Sequence, residues 1–152
     1  MSNSYSNVLK GFIILLIVSV SLNACKKDDK NENVNIGYVN LTINPNSTEY
    51  LDLNIVTGWV YLYATPPSRG IIVYRASFDE FKAYDRTPPY KPDECCNGPN
   101  CTRLIVDGLF VNDTCLDVNY QIIDGSWISG PGKLHLVEYH TYYDGTYLNI
   151  SN

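Results

Sequence analysis

The sequence has few of the residues on which metal sites and acid–base catalysis most often depend. It contains only two histidines, His135 and His140, although histidine is the commonest metal ligand and general base. The alternating segment Leu134-His135-Leu136 predicts a solvent-facing strand residue at His135, and His140 has no ligand-like partner near it. Cys115 with either histidine is the only combination available for a catalytic cysteine–histidine pair. We therefore predict no enzymatic activity.

The sequence also lacks the apolar spacing of a helix over three turns, and alanine is scarce, whereas tyrosine occurs thirteen times. Aromatic residues pack well on pleated sheets. Apolar and polar residues alternate, as in half-buried strands, in Tyr50–Ile55, Trp59–Tyr63, Lys133–Tyr139 and Thr146–Ile150. Unbroken apolar runs predict strands covered on both faces at Ile71–Tyr74 and Leu104–Val106. The many short strands predict an all-β fold, a small antiparallel sandwich or barrel.

Basic residues are in the minority, with 11 Lys and Arg against 16 Asp and Glu. Removing residues 1–24 takes away only Lys10, which leaves ten basic and sixteen acidic residues and a net charge of −6. Nucleic acids and anionic lipid headgroups both require a basic face, so neither is expected as a partner. The remaining 128 residues fit one domain with a modest core.

The N-terminus contains the longest apolar run, Phe12–Val20, which is too short to span a bilayer. It follows a single charge at Lys10 and ends at Leu22-Asn23-Ala24-Cys25, which resembles the bacterial lipobox. We predict a signal peptide over residues 1–24 and a lipid anchor on Cys25 that attaches the protein to the membrane. A polar tether over residues 25–35 and a domain over residues 36–152 would follow.

Two features of the N-terminal region bear on the destination of the chain. Lys27-Asp28-Asp29 resembles the signal that sends Bacteroidota lipoproteins to the outer face of the outer membrane. We therefore expect surface display, with retention on the periplasmic face as the alternative. The signal contains no arginine, so it lacks a twin-arginine motif. A chain exported unfolded cannot carry a preassembled cofactor across the inner membrane.

Four further cysteines predict disulfides in an oxidising compartment: Cys95, Cys96, Cys101 and Cys115. Adjacent Cys95 and Cys96 rarely bond each other, because a vicinal bridge strains the backbone. Two patterns remain open, Cys95–Cys101 with Cys96–Cys115, or Cys96–Cys101 with Cys95–Cys115. The spacing matches neither paired zinc ligands nor a complete plant-type ferredoxin pattern.

The order of motifs resembles the Rieske iron–sulfur domain, most of all the small Rieske-like lipoproteins of Bacteroidota. The motifs are GIIVYR from Gly70, FKAYDRTPPY from Phe81, the lone Cys115, DGSWISGPGKLHLVEY from Asp124, and the terminal LNISN. The resemblance covers roughly residues 35–152.

In that family, a Cys-x-His box and a Cys-x-x-His box supply two cysteines and two histidines to a [2Fe-2S] cluster. Here the boxes align on Pro88-Pro89-Tyr90 and on Cys115-Leu116-Asp117-Val118. Cys115 is the only retained ligand position. The resemblance therefore implies a Rieske-like scaffold without its cluster, in which either disulfide pattern joins the two loops that would grip the cluster.

We expect a lipid-anchored protein of the outer envelope with a non-enzymatic binding or structural role and no cofactor. Two alternatives stay open. A [2Fe-2S] cluster held in a way that this alignment misses would make the protein an electron carrier. Aromatic side chains stacking on a sugar would make it a glycan-binding protein; the candidates are Trp59, Tyr61, Tyr63 and Trp127.

Overall fold

The computed structural model describes residues 34–152. Cys25, the signal peptide and the Lys27–Asp29 segment lie outside these residues. The strands are β1 (Asn40–Ile43), β2 (Trp59–Leu62), β3 (Ile71–Arg75), β4 (Phe81–Asp85), β5 (Cys96–Asn97), β6 (Asn100–Cys101), β7 (Ile105–Asp107), β8 (Phe110–Asp113), β9 (Val118–Gln121), β10 (Trp127–Ser129), β11 (Glu138–Tyr143) and β12 (Leu148–Ser151). A 3-10 segment of two short turns, with a kink at Tyr50, spans Thr48–Asn54. No helix of this part is long and apolar enough to cross a membrane.

The strands form two main sheets, which confirms the all-β prediction. A curled six-stranded sheet has the order β1-β12-β11-β4-β3-β2, and a four-stranded sheet has the order β10-β9-β8-β7. A two-stranded ribbon pairs β5 with β6, and all these pairings are antiparallel. The second sheet and the ribbon are inserted in the chain between β4 and β11, which are neighbours in the first sheet.

Strand β3 contributes to two cores because its alternate side chains point to opposite faces of the sheet. Ile71 and Val73 pack into a first core inside the curled sheet. Ile72 and Tyr74 pack into a second core against the four-stranded sheet. All five residues of β3 are buried, so the predicted strand covered on both faces is confirmed. The corresponding prediction for Leu104–Val106 is wrong, because Ile105 lies on the surface.

The predicted hairpin at Asp144-Gly145 is present between β11 and β12, with Tyr143 opposite Leu148. The Asp144 carboxylate accepts the backbone N–H groups of Thr146 at 2.8 Å and Tyr147 at 2.7 Å. These hydrogen bonds lower the pKa of Asp144. Aspartate is common at turns for this reason, because its side chain satisfies the backbone of the residues that follow.

Two predicted strands differ in the structure. Tyr50–Ile55 lies largely within the 3-10 helix. Lys133–Tyr139 alternates in burial, with Leu134 and Leu136 inside and His135 exposed, but regular pairing begins only at Glu138.

Candidate functional site: the disulfide-tied loops

The insertion between β4 and β11 carries the two disulfides. Cys95 is paired with Cys115, twenty residues away, and Cys96 with Cys101. Cys96 and Cys101 face each other across the β5–β6 ribbon, with 4.0 Å between their Cα atoms. This is the second of the two patterns that the sequence left open. The Cys95–Cys115 bond ties the loop that follows Tyr90 to the turn between β8 and β9.

The segments aligned with the two family boxes meet at a third loop, residues 130–132. A methyl group built on Gly132 would lie 2.5 Å from Cγ and Cδ2 of the Tyr90 ring. A methyl group built on Gly130 would lie 2.8 Å from Cα of Val118. Both glycines have positive φ, +91° and +98°, a conformation that glycine adopts most readily. The GPG motif therefore allows this loop to pack closely on both boxes.

The ligand positions implied by the resemblance do not fit a [2Fe-2S] cluster. Pro88 is buried and has no donor atom. Val118 is fully buried in the second core, and its apolar side chain has no donor atom either. Cys115 supplies the only sulfur, and that sulfur is bonded to Cys95. Tyr90 could offer one phenolate, which leaves the cluster's coordination incomplete.

The one cluster of metal-ligating side chains in residues 34–152 consists of Asp93, Cys96 and Cys101, whose ligand atoms lie within 4.8 Å of one another. The two sulfurs are joined in a disulfide. The Arg69 guanidinium lies beside the group, 2.9 Å from Asp93 Oδ1 and 3.6 Å from Cys96 Sγ. A fixed cation at this position opposes a bound metal ion. These residues therefore form a structural anchor for the ribbon.

Arg69 connects the ribbon to the six-stranded sheet. Its Nη1 donates hydrogen bonds to the carbonyl oxygens of Pro92, at 2.8 Å, and Thr102, at 2.9 Å. Its side chain is 11 % exposed, and it lines an open cleft of about 510 Å³ beside the ribbon. Four acceptors within the protein already surround the guanidinium. Its N–H groups therefore stabilise the loop and are not free to bind a ligand.

A buried polar cluster lies at the end of β4, where the insertion leaves the six-stranded sheet. The fully buried Asp85 carboxylate accepts hydrogen bonds at Oδ2 from the hydroxyl groups of Ser68 and Tyr139, both at 2.5 Å. Its Oδ1 accepts the backbone N–H of Thr87 at 2.7 Å. Burial raises the pKa of Tyr139, and the hydrogen bond to Asp85 raises it further. Sequence reasoning missed this cluster, although an aspartate that ends an otherwise buried strand was a usable signal.

The aromatic residues considered for glycan binding lie in different sheets. Trp59 and Tyr61 are in β2, with ring centroids 4.9 Å apart, and the Arg86 guanidinium covers the Tyr61 ring at 3.7 Å. Trp127 is in β10, where its Nε1 donates to the Gly130 carbonyl at 3.1 Å and its ring packs against the second core. Among these rings Tyr63 alone is largely open to solvent, at 81 % exposure.

The two histidines are also far from forming a site. His135 and His140 are both exposed, and His140 lies in β11 opposite Ser151. Because Cys115 is bonded to Cys95, it offers no free thiol to either histidine.

No family model, no curated protein and no solved structure matches the chain. The resemblance to Rieske domains therefore rests on the sequence motifs alone.

Proposed function

We propose that this protein is a lipid-anchored, non-enzymatic binding protein of the outer envelope. Its Rieske-like domain would hold its two loops together with disulfides in place of a [2Fe-2S] cluster. The observation that carries the proposal is the disulfide bond between Cys115 and Cys95. The only retained ligand position is bonded to the loop that follows the other box, through Cys95. A bond across these loops replaces the mechanical role of a metal and removes its last ligand.

Further support comes from the residues around that bond. Tyr90 packs on Gly132, Val118 belongs to an apolar core, and Arg69 donates hydrogen bonds to Pro92 and Thr102, which flank the ribbon. Each of these contacts orders a loop without contributing a metal ligand. The N-terminal motif ending at Cys25 supports the envelope location, because it predicts export and lipidation.

The test combines metal analysis with disulfide mapping on freshly purified full-length protein. We expect no stoichiometric iron or labile sulfide, no visible absorption, and no Rieske-type electron paramagnetic resonance signal after reduction. Peptide mapping without reductant should recover the pairs Cys95–Cys115 and Cys96–Cys101, with no alkylatable thiol among the four.

Stoichiometric iron with a reduced-state Rieske signal would overturn the proposal and favour electron transfer. Free thiols at Cys95 and Cys115 in the native protein would also overturn it. The pairing Cys95–Cys101 with Cys96–Cys115 would retain a metal-free domain but contradict the described loop.

A further inference from the structure

The six-stranded sheet is open, and its two edge strands are β1 and β2. Within residues 34–152, β1 pairs only with β12 and β2 pairs only with β3. Alternate residues of an edge strand turn their backbone N–H and C=O groups away from the sheet, where these groups lack a strand partner. The described part of the chain thus has two rows of peptide groups without a strand partner.

The curl of the sheet brings these two edges to the same groove. A groove of about 420 Å³ is lined by residues of both edges and of the 3-10 segment between them in the chain: Leu41, Thr42, Ile43, Glu49, Tyr50, Tyr61, Leu62 and Tyr63. A smaller cleft of about 160 Å³ shares Leu41 and extends past the end of β2 to Ala64 and Thr65. The concave surface therefore follows both edges lengthwise, as an extended chain would.

The groove has an apolar floor and a mixed rim. Leu41, Ile43 and Leu62 are partly buried and pack against the first core. Thr42 and Tyr63 are exposed at the rim. A strand lying here would place alternate side chains onto the floor and the others into solvent, which is the pattern of a half-buried strand.

Both edge strands are only four residues long, but they lack the residue types that discourage strand addition. Asn40–Ile43 and Trp59–Leu62 contain no lysine, no proline and no charged residue. The edge of the second sheet differs, because in β7 the Val106 N–H donates to the Tyr61 hydroxyl at 2.8 Å. One edge is thus covered by a side chain. The 3-10 segment packs against β2, but within residues 34–152 no second strand pairs with β1 or with β2.

We propose that this groove binds an extended peptide segment of a partner protein, which adds to the open sheet as a further strand. The inference rests on the proposed binding role and names the chemistry of the partner. The backbone donors and acceptors of an edge strand can form hydrogen bonds with the main chain of a polypeptide. The apolar floor favours a polypeptide that has an apolar side chain at every second position. Among the described residues that line the groove, Glu49 alone is charged, so a basic residue in the segment would be favoured near it.

The strand order also restricts the direction of the segment. Five successive antiparallel pairings separate β1 from β2, so the two edges run in opposite directions. A strand placed between them is antiparallel to one edge and parallel to the other. Antiparallel pairing is the more stable per residue, and one edge would therefore dominate the pairing.

The experiment uses the purified full-length chain in detergent micelles and a phage-displayed library of random peptides of about seven residues, enough for one strand. We expect enrichment of proline-free sequences that alternate apolar and polar residues. A selected peptide, made synthetically, should slow amide hydrogen exchange in β1 and β2. N-methylation of alternate peptide amides should abolish binding, because it removes the donors to an edge.

The blocking variant is Tyr63→Lys, which places a charge at the groove, and its matched control is Tyr142→Lys, an exposed tyrosine of β11 at 61 % exposure that does not line the groove. Tyr63→Lys should weaken peptide affinity by about tenfold or more, while Tyr142→Lys should leave it unchanged. No enrichment, binding that tolerates N-methylation, or equal affinity in both variants would overturn the proposal. A reversible dimer lost in Tyr63→Lys would also overturn it, since the occupant would then be a second copy. Iron content reports separately on the proposed function.

Discussion

Asp85 shows how a single carboxylate connects three distant parts of this chain. Ser68 precedes β3, Thr87 begins the insertion, and Tyr139 belongs to β11, yet all three donate to Asp85. A buried carboxylate is unfavourable unless such donors surround it. The cluster therefore fixes the position at which the insertion leaves the six-stranded sheet.

Replacing Tyr139 with phenylalanine tests this role at the scale of one atom. The variant retains the ring but removes one hydrogen bond to the buried carboxylate, so we expect a loss of about 1.5–3 kcal/mol in the free energy of unfolding. Urea denaturation measures the change. Tyr142→Phe, on the exposed face of the same strand, is the control and should be neutral. Equal stability of the two variants would contradict the assigned role of Asp85.

Three buried tyrosines predict a specific response to alkali. Burial is the first cause that raises the pKa of Tyr84, Tyr120 and Tyr139 above the ordinary value of 10.0. Because the folded state favours the neutral phenol, this contribution to stability is complete below pH 10 and falls as the pH rises above it. Tyrosinate absorbance should show these phenols titrating later in the folded protein than in the denatured one. Titration of every tyrosine of the folded protein as one class near pH 10 would contradict this.

At the scale of elements, the loop of residues 130–132 is expected to depend on the absence of a side chain at Gly132. Gly132→Ala would force a methyl group into the Tyr90 ring. Gly145→Ala is the matched control, because its φ of +97° is close to the +91° of Gly132 and nothing lies within 4 Å of the added methyl group. Both variants carry the strain of an alanine at positive φ, so the difference between them isolates the contact.

We expect Gly132→Ala to be less stable than Gly145→Ala by about 1–3 kcal/mol, the usual cost of overpacking. Thermal or urea unfolding measures the difference. Adding Tyr90→Ala to both variants should remove most of it, since the opposing ring is then absent. A difference that persists without the ring would show that Tyr90 does not pack on this loop.

The elements that could be predicted from the sequence are those in which one periodicity governs burial. The unbroken apolar run of β3 predicts a buried strand, because all its side chains are covered. Asp144 and Gly145 predict the turn of the β11–β12 hairpin. The segment Tyr50–Ile55 misled because its alternating pattern coexists with a second one. In a 3-10 helix, residues i and i+3 share a face. In the turn after the kink at Tyr50, Leu51, which is 64 % exposed, and Asn54 therefore share an open face, while Leu53 is fully buried.

The candidate site was predictable only in part. The four cysteines identified the disulfide region, but the choice of partners depends on the β5–β6 ribbon, which places Cys96 opposite Cys101. Arg69 gave no sequence signal, because all four of its acceptors, two of them backbone carbonyls, lie more than twenty residues away in the chain. The sequence also did not predict the groove between β1 and β2. These two edge strands come close to each other only through the curl of the whole sheet.

At the scale of the whole molecule, the lipobox-like N-terminal motif leads to a prediction about processing and anchoring. We predict that Cys25→Ser leaves an unprocessed precursor without the mature lipid anchor, because the modified residue is the cysteine of the lipobox-like sequence. Mass spectrometry of the N-terminus and of its acyl chains measures this. Cys115→Ser, which removes a different cysteine, should still be processed and lipidated. A Cys25→Ser protein still cleaved before residue 25 and still acylated would contradict the prediction.

The insertion between β4 and β11 also has a meaning for how such a protein changes over evolutionary time. Its two ends leave and re-enter the six-stranded sheet at adjacent strands, so the strand order of that sheet does not depend on what lies between them. Substitutions in the inserted loops can accumulate while the frame, including both of its open edges, stays intact. Changes in the insertion and changes at the two edges can therefore be made independently of each other.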